Sequence, residues 1–219
     1  MDIIPFIQFT MNSRYITRWI YTGILIYIPV LNFFSLGYLS KTSRVTTIGG
    51  LGLPTWENKY EIWVEGIKVI FIFILYEAVP FFLFSCGFFL TTLSNITAFF
   101  GSITVKLSYI ALFICSFFLP FALATFSEQY DFRSALEFEN IFRGIKEVFI
   151  PYLIGYLATA VALYLCTLLI KIPYLVGFLL SSILTYYILL VATYYFTELF
   201  KTTTLSTVRI TEDIIPDGL

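Results

Sequence analysis

Residues 150–197 read IPYLIGYLATAVALYLCTLLIKIPYLVGFLLSSILTYYILLVATYYFT and contain a single charged residue, Lys171. An α-helix needs about 20 apolar residues to cross the hydrocarbon core of a bilayer. The arms on either side of Lys171, residues 150–170 and 174–199, each reach that length. The Ile172-Pro173 pair between them favours a turn over one continuous helix. The stretch therefore predicts a hairpin of two membrane-spanning helices.

Upstream lie three further charge-free runs, at residues 19–40, 78–105 and 107–126. The second of these extends back to Val69, interrupted only by Glu77, and its far end at residues 91–101 favours an interhelical loop because it is rich in Ser, Thr and Asn. The sequence thus predicts four full spans, at residues 69–93, 107–126, 150–170 and 174–199.

The composition agrees with a membrane protein. Hydrophobic residues make up 59% of the chain and charged residues 12%, with a mean hydropathy of +0.89. Soluble domains are about half apolar and about a quarter charged, so this chain cannot supply a water-soluble surface. We expect residues 1–219 to form one membrane domain of the all-α polytopic class.

Several function classes are disfavoured by what the chain lacks. The net charge is −1, which gives no basic surface for nucleic acid. Histidine is absent, which removes the commonest metal ligand and general base. The cysteines Cys86, Cys115 and Cys166 each lie alone in an apolar run, where a thiol is usually a small buried hydrophobe. We therefore expect no disulfide, no metal, no cofactor and no nucleic-acid partner.

Residues 19–40 allow two interpretations. Ile28-Pro29-Val30-Leu31 repeats the Ile-Pro-x-Leu break of the downstream hairpin, but here each arm holds about ten residues and reaches only about 15 Å. The segment is either one Pro-kinked span or a re-entrant hairpin with its turn at Pro29 and Asn32. Lys and Arg favour the cytoplasmic side of spans, and the re-entrant form gathers more of them on one side. We predict a re-entrant hairpin packed against the bundle, with both termini cytoplasmic.

Four stretches outside the spans have interfacial or polar patterns. Residues 1–18 and 134–149 are amphipathic, and the second begins with Ser134 and Glu137 at capping-box spacing. Residues 55–68 are predicted to form a helix with Thr55 as its N-cap. Residues 200–219 form a polar tail. In the 55–68 helix, aromatic side chains on one face are typical of headgroup anchors; these are Trp56, Tyr60 and Trp63. We expect the amphipathic helices on the cytoplasmic face.

Glu77 is the first candidate polar site, because an ionisable group inside a span is costly and often functional. Pro80 follows it and leaves a backbone carbonyl without its helical donor. The functional interpretation is an ion, proton or polar-substrate site. The structural interpretation, which we favour, is a protonated or hydrogen-bonded carboxyl that holds helices together.

Acidic residues outside the spans give weaker signals. Glu57, Glu61 and Glu65 recur at i, i+4 spacing, which can bind a divalent cation but is more often a solvated helix face. An interfacial enzyme acting through Glu57, Glu61 or Asp131 would lack a nucleophile–base pair. We expect no enzymatic activity.

One set of residues resembles a known family. The set comprises Gly37-Tyr38, the segment LPTWEN at residues 53–58, Gly66 and Tyr76-x-x-x-Pro80. This pattern is similar to the uncharacterised membrane proteins called domain of unknown function 4013, and the similarity extends to an amphipathic helix at residues 138–145 and a break at Ile172-Pro173. The family has no assigned activity, so the resemblance implies the architecture and supplies no catalytic residues. Glu77 does not belong to the pattern.

The sequence leaves two functional hypotheses. The first is a non-enzymatic integral membrane protein, a scaffold or accessory subunit, that organises membrane lipid or partner membrane proteins, including copies of itself. The alternative is a small transporter or channel with a midplane site at Glu77 and Pro80.

Overall fold

The computed structural model describes residues 3–50 and 52–206, and the secondary structure in these ranges is helical. Most of the predicted tail, residues 207–219, lies outside the described residues. Nine α-helices are present in the described chain: α1 Ile4–Thr10, α2 Ser13–Leu25, α3 Asn32–Thr47, α4 Lys59–Leu93, α5 Asn95–Ser116, α6 Leu119–Gln129, α7 Phe138–Glu147, α8 Phe149–Leu169 and α9 Tyr174–Lys201.

Four segments are long and apolar enough to cross a bilayer: Lys59–Leu93, Asn95–Gln129, Phe149–Leu169 and Leu175–Lys201. Between 17% and 28% of the most apolar window in each is buried inside the protein. The remaining surface of these helices is too apolar to face water, so lipid must cover it. The chain is therefore a multi-pass all-α membrane protein, as its sequence predicts.

Residues 59–93 form one continuous helix of 35 residues, α4. The sequence analysis divided this stretch into a surface helix at residues 55–68 and a span at residues 69–93, and the division is wrong. Lys68 interrupts the apolar run, but a lysine does not break a helix. The helix also begins at Lys59 rather than after Thr55, and it continues through Pro80.

The loop predicted at residues 91–101 is also wrong, because α4 extends to Leu93 and α5 begins at Asn95. Ser94 alone connects them. Its Oγ accepts a hydrogen bond from Thr97 N at 3.3 Å, and its own N–H donates to Thr97 Oγ1 at 3.0 Å. This capping box uses Thr in place of the usual Glu or Gln. The capping box gives hydrogen-bond acceptors to the N–H groups of Ser94 and Thr97, so the helix start needs no longer loop to supply them.

The predicted span at residues 107–126 instead comprises parts of two helices. α5 ends at Ser116, Phe117 and Phe118 form a turn, and α6 begins at Leu119. Pro120 has no N–H to donate, and it lies in the first turn of α6, where that loss is tolerated.

Residues 19–40 form a helical hairpin instead of a single kinked helix. α2 ends at Leu25, α3 begins at Asn32, and Val30 between them has a left-handed φ of 70°. The two arms are joined where Ser35 Oγ donates to Thr22 O at 2.7 Å. The turn is not packed against the bundle as predicted, because Pro29 and Val30 are exposed while Asn32 is half-buried. The apolar side chains of Pro29 and Val30 can face lipid without cost.

The predicted helix at residues 1–18 is two helices, α1 and α2, separated by Met11 and Asn12. The Asn12 side chain accepts a hydrogen bond from Arg14 N at 3.2 Å and so caps α2. α1 packs against α9, where the Phe6 ring stacks on Tyr194 with centroids 4.0 Å apart.

The amphipathic helix predicted at residues 134–149 begins later and is shorter. A 3₁₀ turn, Ser134–Leu136, precedes α7. The capping box predicted there is wrong, because Ser134 Oγ donates to the carbonyl oxygen of Asp131 at 2.6 Å. The Glu137 carboxylate accepts instead from Asn140 Nδ2, also at 2.6 Å.

Helix α3 lies at the centre of the molecule and packs against α4, α6 and α9. Two glycines allow α3 and α4 to approach closely. A Cβ atom at Gly37 would overlap the carbonyl oxygen of Ile62, and one at Gly66 would overlap that of Phe33. Small residues at helix crossings permit this backbone contact in membrane proteins.

Candidate functional site

The buried face of α3 carries a row of hydroxyl side chains, which we call the hydroxyl seam: Ser40, Thr42, Ser43, Thr46 and Thr47. The three threonines donate to backbone carbonyls one turn earlier in α3, which satisfies them without outside partners. The two serines reach neighbouring helices. Ser43 Oγ lies 2.7 Å from Thr197 Oγ1 of α9, and Ser40 Oγ lies 3.3 Å from Ser127 Oγ of α6.

Beside the seam lies a buried ion pair that joins three helices. Arg44 of α3 donates to Glu65 of α4 at 2.7 Å, and the two side chains are only 12% and 8% exposed. The Arg44 guanidinium also donates to Ser127 O at 3.3 Å and lies 3.4 Å from the ring centroid of Tyr130, at the end of α6. The second carboxylate oxygen of Glu65 has no hydrogen-bond partner in the described chain.

The sequence interpretation of Glu57, Glu61 and Glu65 as one solvated face was wrong for Glu65. Glu57 is exposed, and Glu61 forms a loose ion pair with Lys41 at 3.5 Å. Glu65 differs because α3 crosses α4 at its level and brings Arg44 to it. No local pattern indicates this pairing, since the two residues lie 21 positions apart in the chain.

A cavity of about 340 Å³ lies between α3, α4, α5, α6, α8 and α9. Its wall is mostly aliphatic and aromatic, and hydroxyl groups are supplied by Ser43, Ser116, Tyr156, Thr159, Thr193 and Thr197. None of the described residues that line it is charged. The volume falls in the range of small-ligand pockets, roughly 300–1,000 Å³. The chemistry of the wall fits an apolar guest and does not fit an ion.

Glu77 lies half-buried on α4, and its Oε2 has no partner within the described residues. A small cavity of about 170 Å³ adjoins it, bounded by Pro80 of α4 and by Ser108 of α5. The preceding residue, Tyr76, donates from its hydroxyl to Ala135 O at 2.7 Å, just before α7. The described chain places no group of three or more potential metal ligands together, here or elsewhere.

The three aromatic anchors do not share one helix face. Trp56 precedes α4 and stacks on Tyr38 with centroids 5.2 Å apart. Trp63 meets Phe33 edge-on at 5.8 Å, so it packs across the α3–α4 crossing. Tyr60 is 80% exposed. Of the three, Tyr60 is the most exposed to the surroundings.

The segment around Leu53 and Pro54 is fastened to the hairpin of α2 and α3. Tyr38 Oη donates to Pro54 O at 2.8 Å, and Arg18 Nη1 donates to Leu53 O at 3.3 Å. Burial raises the pKa of the Tyr38 hydroxyl, because its phenolate would lie away from water. The residues that carry the family resemblance thus include this anchored segment, Tyr38 and the α3–α4 glycines.

The comparisons with known proteins agree with this architecture. No curated protein and no solved structure matches the chain. One family model matches residues 21–181, which include the end of α2, all of α3 to α8 and the start of α9. The match covers well over half of the sequence. The chain therefore belongs to the family described as protein of unknown function, DUF4013.

Proposed function

We propose that this protein is a non-enzymatic scaffold or accessory subunit that organises membrane lipid or partner membrane proteins, including copies of itself. The observation that carries the proposal is the two-sided packing of α7. Ile141 and Ile145 are buried against the body of the protein, whereas Phe138, Phe142 and the following Phe149 are exposed. A helix held on one side by protein and bearing exposed phenylalanines on the other has the form of an interfacial membrane helix.

Charge on α7 fits the same role. Arg143 and Lys146 are exposed; Arg143 lies 3.7 Å from Glu139 of the same helix, and the Lys146 ammonium lies 4.3 Å from the ring centroid of Phe142. Basic residues beside exposed aromatics favour an anionic lipid surface. On this proposal α7 lies on the cytoplasmic face, both termini are cytoplasmic, and the α2–α3 hairpin enters the membrane from that side without crossing it.

The chemistry of the described residues supports a role through shape and contact. The chain has no histidine. Its polar cluster of Arg44 with Glu65 is a buried ion pair, with little of either side chain exposed. A hydrolytic or transfer reaction needs a nucleophile, a base that activates it and a place for substrate beside both. The usual base of such a set, histidine, is missing from the sequence, and we therefore favour a role through contact.

Lipid selectivity tests the proposal. The full chain is reconstituted in phosphatidylcholine with phosphatidylglycerol, gently extracted, and its retained lipids are measured by native mass spectrometry. We expect phosphatidylglycerol to be enriched several-fold over the bulk bilayer. Arg143→Gln combined with Lys146→Gln should abolish the enrichment, while Lys171→Gln, at the opposite end of the spans, should preserve it. A wild-type chain that retains bulk-like lipid and co-purifies with no membrane protein would overturn the proposal.

A transporter or channel centred on Glu77 is the second candidate, favoured by the unpartnered Oε2 and the small cavity beside it. Its test is proton or cation flux into dye-loaded proteoliposomes. A flux that Glu77→Gln removes would support this function, and a Ser108→Ala variant controls for the shape of the cavity. Equal flux through wild type, Glu77→Gln and empty vesicles would eliminate it.

A further inference from the structure

The 340 Å³ cavity spans a definite range of depth, which two helices measure independently. Along α9, Thr197 and Leu189 line it about 6 and about 18 Å from Lys201, at a rise of 1.5 Å per residue. Along α8, Tyr156 and Leu163 line it about 10 and about 21 Å from Phe149. Phe149 and Lys201 lie at the same end of the α8–α9 pair. The cavity therefore extends from near that end to a little past the middle of a hydrocarbon core about 30 Å thick.

The hydroxyl groups of the cavity wall lie toward its Lys201 end and its middle, where Thr193, Thr159 and Tyr156 follow Ser43 and Thr197. Ser43 and Thr197, which are hydrogen-bonded to each other, lie at the end closer to Lys201. The deeper wall is formed by apolar side chains such as Leu163 and Leu189. A guest suited to this wall has an ester or hydroxyl group at one end and a hydrocarbon chain at the other.

Access to the cavity is from the bilayer. α8 approaches α5 through Tyr156, whose hydroxyl lies 2.8 Å from Ser116 Oγ and donates to Phe113 O at 3.0 Å. Leu112 and Phe113 of α5 line the cavity and are also exposed on the outer surface. Since α5 belongs to a membrane span, the solvent at this opening is lipid rather than water.

From depth, chemistry and access together, we infer that the cavity binds one acyl chain of a phospholipid from the leaflet next to α7, with its ester group near Ser43 and Thr197. The inference rests on the proposed function in one respect, because the ligand of both is lipid. It goes further by naming the part of the lipid that is bound and the cavity that binds it. The two sites are separate, because the α7 test concerns exposed basic residues and the cavity has no charged wall.

Photo-crosslinking tests the site in full-length protein reconstituted in phosphatidylcholine vesicles. Two tracer phosphatidylcholines carry a diazirine, one near the ester and one at the methyl end of the chain. The first should label peptides containing Thr193 and Thr197, and the second should label peptides containing Leu163. Labelling spread evenly over the exposed faces of α4, α5 and α8, with no order by diazirine position, would overturn the inference.

A variant that fills the cavity provides the second readout. Ala160→Leu adds bulk to the cavity wall, and we expect it to lower cavity labelling at least fivefold. Ala78→Leu makes the same change on the exposed face of α4 and should leave labelling unchanged. Undiminished labelling of the cavity peptides in folded Ala160→Leu would contradict the assignment. If Ala160→Leu does not fold, the order of labelling in wild type decides the question by itself. If the wild-type protein shows no enrichment of anionic lipid but its cavity peptides are labelled as expected, the proposed function fails and the cavity assignment stands.

Discussion

Helix α3 and the α4–α5 hairpin differ in a way that reverses the usual relation between hydropathy and burial. α3 is rich in Ser and Thr, yet nine of its 16 residues are buried. α5 is strongly apolar, yet Gly101 and Ser108 alone are buried among its 22 residues. The outer faces of the hairpin carry exposed phenylalanines such as Phe82, Phe88 and Phe99.

The contrast follows from lipid as the solvent. Burying an apolar side chain gains little when the alternative environment is also hydrocarbon, so packing geometry decides what lies inside. Glycine, serine and threonine let helices approach closely and satisfy their polar atoms locally. In this protein the most hydroxyl-rich helix, α3, is therefore largely buried, whereas most residues of the strongly apolar α5 face outward.

The largest expected effect is at the α3–α4 crossing. Gly37→Ala would drive a Cβ into the carbonyl of Ile62, so one of the two backbones must move. We expect a loss of at least about 5 kcal/mol in the free energy of unfolding, measured by SDS titration in mixed micelles. Gly52→Ala is the control, because its Cβ would meet only Val45 Cγ1 at 3.6 Å. Equal stability of the two variants would show that α3 does not contact α4 so closely.

The next effect concerns the ion pair beside the hydroxyl seam. Arg44→Met leaves Glu65 buried without its partner and should cost about 3 to 5 kcal/mol in the same titration. Combining it with Glu65→Met should recover most of that loss, because no charge is then left buried. The more exposed Lys41–Glu61 pair provides the comparison, and Lys41→Met should cost less than about 1 kcal/mol. A double variant as unstable as Arg44→Met would contradict this account.

Two phenylalanines test the contrast with a single kind of substitution. Phe121 of α6 is fully buried, and Phe121→Ala should cost about 3 kcal/mol through the cavity it leaves. Phe82 of α4 is 67% exposed, and Phe82→Ala should change stability by less than about 0.5 kcal/mol because lipid fills the vacated space. A larger cost at Phe82 would mean that protein rather than lipid covers the hairpin.

The smallest expected effect is the loss of one hydrogen bond. Tyr38→Phe removes the donor to Pro54 O and should destabilise the protein by about 1 kcal/mol. Tyr60→Phe, at an exposed position, should have no measurable effect. Thermal midpoints in detergent are sufficient to rank the two variants, and the opposite ranking would argue against an anchored segment at residues 53–56.

The spans could be predicted because a run of about 20 apolar residues is a local signal. The role of α3 could not be predicted, because its burial depends on contacts with α4, α6 and α9. Those contacts form only when the chain folds. Arg44 and Glu65 were missed for the same reason. The one-residue turn at Ser94 was missed because the polar residues around it resemble a loop, whereas Thr97 uses its hydroxyl to cap a helix. The 340 Å³ cavity has no sequence signature, since it is a space between six helices.

Labelling with a lipid-soluble carbene precursor tests most directly whether α3 is the buried centre. The full-length protein is photolysed in proteoliposomes, and the modification of each peptide is measured by mass spectrometry. We expect heavy labelling at the exposed phenylalanines of α4 and α5, including Phe82, Phe88 and Phe99, and almost none over residues 35–47. Labelling of residues 35–47 at a level similar to that of the hairpin would contradict the account.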